Sequence, residues 1–223
     1  MSRKLHKFQT VAEYQAYSAS TEYTTPCVAL IVDTNVIYYD YGNNMPQVDM
    51  SNYKGEFQES SVGGDKFGRD AITKINYIPS GVTSLNSAFS NLTSLEEVTC
   101  KIPSCVTDMS DTFYACSSLV KSPEIQNSVT NLFGTFYNCK SLTTAPQIPN
   151  SVRNMEWTFC GCSSLKEVTF LHTTPPTYSN TLNDCPKLES IYVPDSAVED
   201  YKAATNWSEF ADKIKPLSSK PSE

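Results

Sequence analysis

The sequence predicts an α/β repeat solenoid built from short parallel strands. Two observations carry that prediction: four consecutive segments superimpose at a spacing of 23 to 24 residues, and the superimposed apolar positions form columns of a single side-chain type. A unit of this size cannot bury its own apolar face, so such columns make sense only if units stack and each covers its neighbour.

The units begin at Ser80, Ser104, Ser128 and Ser151. Their first columns are Val82, Val106, Val129 and Val152, then Leu85, Met109, Leu132 and Met155, then Phe89, Phe113, Phe136 and Phe159. Leu92 follows, with Cys116, Cys139, Cys162 and Cys185 behind it in register. The last columns are Leu95, Leu119, Leu142, Leu165 and Leu188, then Val98, Ser122, Ala145, Val168 and Ile191. Weaker copies flank the series. Ile72 and Ile75 make residues 67–78 a degenerate first unit, and Tyr178, Leu182, Cys185, Leu188 and Ile191 fill a fifth whose entry is altered by Pro175 and Pro176. The repeat stops at Pro194.

Within a unit, the Leu-x-x-Val/Ile segment is expected to form one parallel rung, with Phe-x-x-Cys/Leu on a turn or short helix behind it. Ser94, Ser118, Ser141 and Ser164 are placed to end that turn and bond backbone left open by it. Pro103, Pro123, Pro146 and Pro149 are expected where strand pairing ends.

These units resemble the BspA-like class of bacterial leucine-rich repeats, whose pattern runs I-P-x-S-V-T-x-I/M-x-x-x-A/T-F-x-x-C-x-S-L-x-x-V. The stretch LESIYVPDSAVEDYKAATNWSEFADKIKPL is similar to that class's closing cap of strand, V-P, short helix and final K-I-K-P. The resemblance covers residues 72–217 and implies a leucine-rich-repeat solenoid with a helical cap, and a habit of adhesion or scaffolding. The domain reading is a 1–45 N-terminal module, a 46–66 linker, a 67–193 solenoid and a 194–223 cap and tail.

Ahead of the repeats, Thr10-Val11-Ala12-Glu13 reads as a capping box opening a helix to about Ser18. Residues 27–32 and 36–39 read as strands around an Asp33-Thr34-Asn35 turn, which makes a helix-plus-hairpin module. An isolated hairpin is marginal in water, so Val28, Leu30, Val32, Ile37 and Tyr39 are candidate anchoring residues. Their partner is the repeat, another copy of the chain or a different protein. The segments F-x-T/S-V-A-E-Y-x-A and V-A-L-I-V-D-T-N-x-I-Y-Y resemble the N-terminal segments of virion proteins from bacteriophages of gut Bacteroidales, including the crAss-like group. That resemblance, over residues 8–40, implies a capsid- or tail-associated fibre or decoration component whose module contacts other virion proteins.

The net charge of -7 argues against nucleic-acid binding, which needs clustered Lys and Arg; the only basic cluster, Arg3, Lys4 and Lys7, reads as a tail. The longest apolar run, residues 28–32, is far below the ~20 residues that cross a bilayer, so no membrane insertion is expected. The opening residues do not read as a secretory signal, which favours a protein made in a host cytoplasm and carried out on particles. The alternative is a bacterial cell-surface or secreted adhesin. In either case the repeats would meet a surface protein or glycan.

No catalytic, cofactor or metal site is expected. The eight cysteines show no C-x2-C spacing, so Cys116, Cys139, Cys162 and Cys185 read as a buried column of reduced thiols. Cys160 departs from that column, in the place of Ser90, Tyr114 and Tyr137, and the sequence leaves open whether it is exposed. Of the two histidines, His6 falls in the tail and His172 in a surface loop with no nucleophile facing it. Glu96, Glu97 and Glu167 read as a solvated face rather than a hydrolytic pair. Asp33, Asn35, Asp40, Asn43 and Asn44 lack the spacing of a calcium loop. Tyr114, Tyr137 and Trp157 form either a contact stripe or packing.

Overall fold

The computed structural model describes residues 5–8, 28–31, 36–39 and 47–49, as backbone strands, and residues 73–75, 78, 82–177 and 179–221. The N-terminal strands are β1 (Leu5–Phe8), β2 (Val28–Ile31), β3 (Val36–Tyr39) and β4 (Gln47–Asp49). They form one sheet in the order β1-β2-β3-β4, with Val28 opposite Tyr39 and Leu30 opposite Ile37 across the antiparallel β2–β3 pair. Two differences from expectation follow. Lys7, read as part of a basic tail, lies in β1 and pairs in parallel with β2, and Gln47–Asp49 of the presumed linker pair antiparallel with β3. The physical reason is that a lone hairpin leaves two open edges, and β1 and β4 occupy both. The helix expected over residues 10–18, Val32, the 33–35 turn, the oxygen-bearing residues from Asp33 to Asn44 and Ile72 lie outside the described residues.

The solenoid carries β5 (Lys74–Ile75), β6 (Glu97–Val98), β7 (Thr144–Ile148), β8 (Glu167–Phe170) and β9 (Ser190–Val193). All pair in parallel, β5 with β6 and β7-β8-β9 in series. A second ladder of single parallel bridges runs along Ser84, Asp108, Asn131 and Asn154. Pro146 lies within β7 rather than at its end, at a register shift between Thr144 and Gln147, which is where a strand tolerates a residue without an N–H.

Between the two ladders the chain turns rather than coils into helix. The Cys116 N–H donates to Phe113 O at 3.1 Å, and the Cys139 and Cys162 N–H groups bond Phe136 O and Phe159 O in the same way. Left-handed residues stop each turn from propagating, among them Asp111 (φ 50), Gly134 (φ 57), Trp157 (φ 58), Ala115 (φ 56), Asn138 (φ 56) and Gly161 (φ 76). Their amides point along the stack instead: Asp111 N–H reaches Phe133 O at 2.7 Å, and Gly161 N–H reaches Asn183 O at 2.9 Å.

The core is the set of apolar columns. Phe89, Phe113, Phe136 and Phe159 stack with ring centroids 5.5, 5.5 and 5.4 Å apart, each buried. At the C-terminal end, β10 (Ile214–Pro216) pairs in parallel with β9 and extends the sheet by one strand. Helix α1 (Val198–Ala203) follows a one-turn 3-10 segment, Asp195–Ala197. Trp207 sits edge-on to Phe170 and Tyr201, at 5.1 and 5.0 Å, and its Nε1–H donates to Pro176 O at 2.9 Å. The last repeat therefore ends against an aromatic wall rather than water.

Candidate functional site: carbonyl ladders and an open rung

The polar side chains inside the stack serve the fold. Each column cysteine donates its thiol to a Phe carbonyl of the preceding unit: Cys116 to Phe89 O, Cys139 to Phe113 O, Cys162 to Phe136 O and Cys185 to Phe159 O, at 3.1 to 3.2 Å. Burial, the largest cause, raises the Cys139 and Cys162 thiols well above the ordinary value and takes Cys185 to about 12. Thiols in that state are poor nucleophiles. A second column, not singled out from the sequence, is Thr112, Thr135, Thr158 and Thr181, all fully buried. Thr135 Oγ1 donates to Met109 O at 2.8 Å, Thr158 to Leu132 O at 2.8 Å and Thr181 to Met155 O at 2.9 Å.

A third ladder satisfies the Val carbonyls. Cys105 Sγ donates to Val82 O at 3.0 Å, Ser128 Oγ to Val106 O at 2.7 Å and Ser151 Oγ to Val129 O at 2.8 Å. His172 closes the series, its Nε2 lying 2.9 Å from Val152 O. His172 is therefore buried rather than a surface loop residue, and it stands where the next unit would supply a serine. Its Nδ1 has no hydrogen-bond partner, and burial lowers its pKa from 6.5, so the neutral form with Nε2–H donating fits the site.

Cys160, whose exposure the sequence leaves open, is also buried, at 3 % exposure. Burial and then the Asp184 charge raise its pKa. Tyr114 and Tyr137, in the same column, stack at 4.8 Å, and Trp157 meets Tyr137 edge-on at 6.2 Å. These half-buried rings pack on one another along the turn face.

Two of the three glutamates read as a solvated face, Glu97 and Glu167, are in ion pairs. Glu97 pairs with Lys74 at 2.6 Å and Glu167 with Lys220 at 3.1 Å. Among the described residues, no group of three or more His, Cys, Asp or Glu is arranged to hold a metal ion, and no helix is long and apolar enough to cross a membrane.

Of the serines expected to end the turns, two act through their backbone: Ser118 N–H donates to Thr93 O at 3.2 Å and Ser141 N–H to Ser117 O at 3.1 Å. One position further on, a regular backbone ladder runs the length of the sheet face. Thr73 O accepts from Glu96, Glu96 O from Val120, Thr143 O from Lys166, and Lys166 O from Glu189, each at 2.8 to 2.9 Å. The one step missing among the described residues is Thr143 N–H to Val120 O. There Ser122 stands half-buried in a column that is otherwise buried and apolar, and Pro123, which has no N–H, follows it. The opening is a groove of about 680 Å³ lined by residues on both sides, among them Val120, Lys121, Thr143 and Gln147.

A family model described as a BspA type leucine rich repeat region matches residues 60–156 and 134–209, in six copies. The chain belongs to the BspA-type leucine-rich-repeat family. The matched spans take in every rung from β5 to β9 and reach into the C-terminal aromatic wall. In this BspA-type stack the Phe, Cys and Leu columns are therefore the repeat itself, and the open rung is a local departure within it. No curated protein matches the chain.

Proposed function

We propose that this chain is a non-enzymatic structural protein of a bacteriophage particle, a capsid- or tail-associated fibre or decoration component that uses its repeats for adhesion or assembly contacts. A BspA-type repeat domain suits adhesion or protein–protein interaction, and that is the observation on which the contact role rests. The similarity of residues 8–40 to phage virion proteins favours placing that role on a particle. The N-terminal sheet is the proposed attachment point, docking on a neighbouring virion subunit or on a second copy of the chain.

The paired edges of β2 and β3 refine that proposal. Among the described residues β1 and β4 are the outer strands of the sheet, so docking would use these strands or the β2–β3 pair, in which Val28 stands opposite Tyr39 and Leu30 opposite Ile37. Particle purification tests the reading: the chain should co-sediment with virions, and removing residues 1–45 should leave a folded repeat domain that no longer joins them. Fractionation with a bacterial envelope would instead favour the surface-adhesin reading, which the same repeat family supports.

A further inference from the structure

The break between the rungs at Val120 and Thr143 is specific in its chemistry. Val120 O and Thr143 N–H, which elsewhere in the ladder would bond each other, both belong to residues that line the groove. Backbone donors and acceptors left open along a strand edge are completed most simply by another extended backbone. The side chains around them narrow the choice. Val120 is the one exposed large apolar side chain among the described residues, at 52 %. Lys121 borders the groove, is exposed and has no ion pair among the described residues, in a chain whose net charge is -7. Lys220 reaches the same groove while pairing with Glu167, and Glu124 lies further along its wall.

We infer that this open rung is a docking site for an extended segment of a partner polypeptide, which lays its backbone along Thr143–Gln147 and sets an apolar side chain on Val120 and an acidic one on Lys121. The groove's volume lies within the usual range for binding clefts, on the order of 300–1,000 Å³. Successive side chains of a strand point to opposite faces, so alternation of apolar and acidic residues gives the segment one apolar and one acidic face, as the neighbouring Val120 and Lys121 require. The inference rests on the contact role proposed above but not on a place in a particle, because it is read on the purified chain.

The probe is a position-scanned set of acetylated, amidated hexapeptides alternating apolar and acidic residues, titrated against the full chain. The expected result is saturable binding with slowed amide exchange at residues 143–147. Binding should weaken at least about tenfold in Lys121→Glu and in Val120→Asp; both sites are exposed, so thermal midpoints should hold. Three results would overturn the inference: no member bound at millimolar concentration, slowed exchange confined to another part of the chain, or affinity unchanged in both variants.

Discussion

Cys139 donates its thiol to the carbonyl oxygen of Phe113, 26 residues earlier, at 3.2 Å, and the same carbonyl accepts the Cys116 N–H at 3.1 Å. Each unit thus completes the turn of the unit before it. The cysteine column does two jobs, filling apolar space and donating a weak hydrogen bond along the stack. All four are buried and in no disulfide. Native protein treated with iodoacetamide and read by mass spectrometry should leave Cys116, Cys139, Cys162 and Cys185 unmodified, with half-buried Cys105 reacting ahead of them. Fast modification of the column without unfolding would contradict this packing.

Phe136 is fully buried between Phe113 and Phe159. Phe136→Ala should cost about 3–5 kcal/mol in chemical denaturation, the range for truncating a buried aromatic ring. Val120→Ala, at an exposed position, should cost less than about 0.5 kcal/mol. Equal effects would mean that inside and outside have been confused.

The apolar columns and the parallel register were legible in the sequence because like residues recur at one spacing, and stacking is the only way to bury them. The donor columns were harder to see. Thr112, Thr135 and Thr158 are as periodic as the phenylalanines, but a threonine gives no sign of whether it faces water or a carbonyl until the turn geometry is known. His172 was misread for a related reason: it lies 20 residues from its partner Val152 rather than at the repeat spacing, so no column points to it. Ser122 and Pro123 did carry a signal, an interruption of the Val/Ala/Ile column, that marks the open rung.

His172 gives the stack a pH dependence. Its folded pKa is lowered from 6.5, chiefly by burial, with Arg153 also opposing the charged form. Below pH 6.5 the unfolded chain takes up the proton first, so stability is fully present above that value and falls as pH drops towards the folded pKa. The thermal midpoint of the wild type should decline through this window, and His172→Gln, which can still donate to Val152 O, should decline less. Parallel curves would remove His172 as the cause.

Gly161 has φ +76, and a Cβ added there would lie 2.2 Å from Asn138 Oδ1. Gly161→Ala should therefore cost about 1–3 kcal/mol through backbone strain and the clash together. Combining it with Asn138→Ala relieves the clash but not the strain, so the double variant should recover part of the loss.

Among the described residues, inter-repeat backbone bonds run along the sheet face except at a single rung, and residue-resolved native-state amide exchange on the full chain tests this directly. Glu96, Val120, Lys166 and Glu189 each donate to the preceding unit and should exchange slowly, while the equivalent Thr143 amide should exchange fast. A Thr143 amide as protected as those of Lys166 and Glu189 would mean that the rung is closed and the ladder continuous.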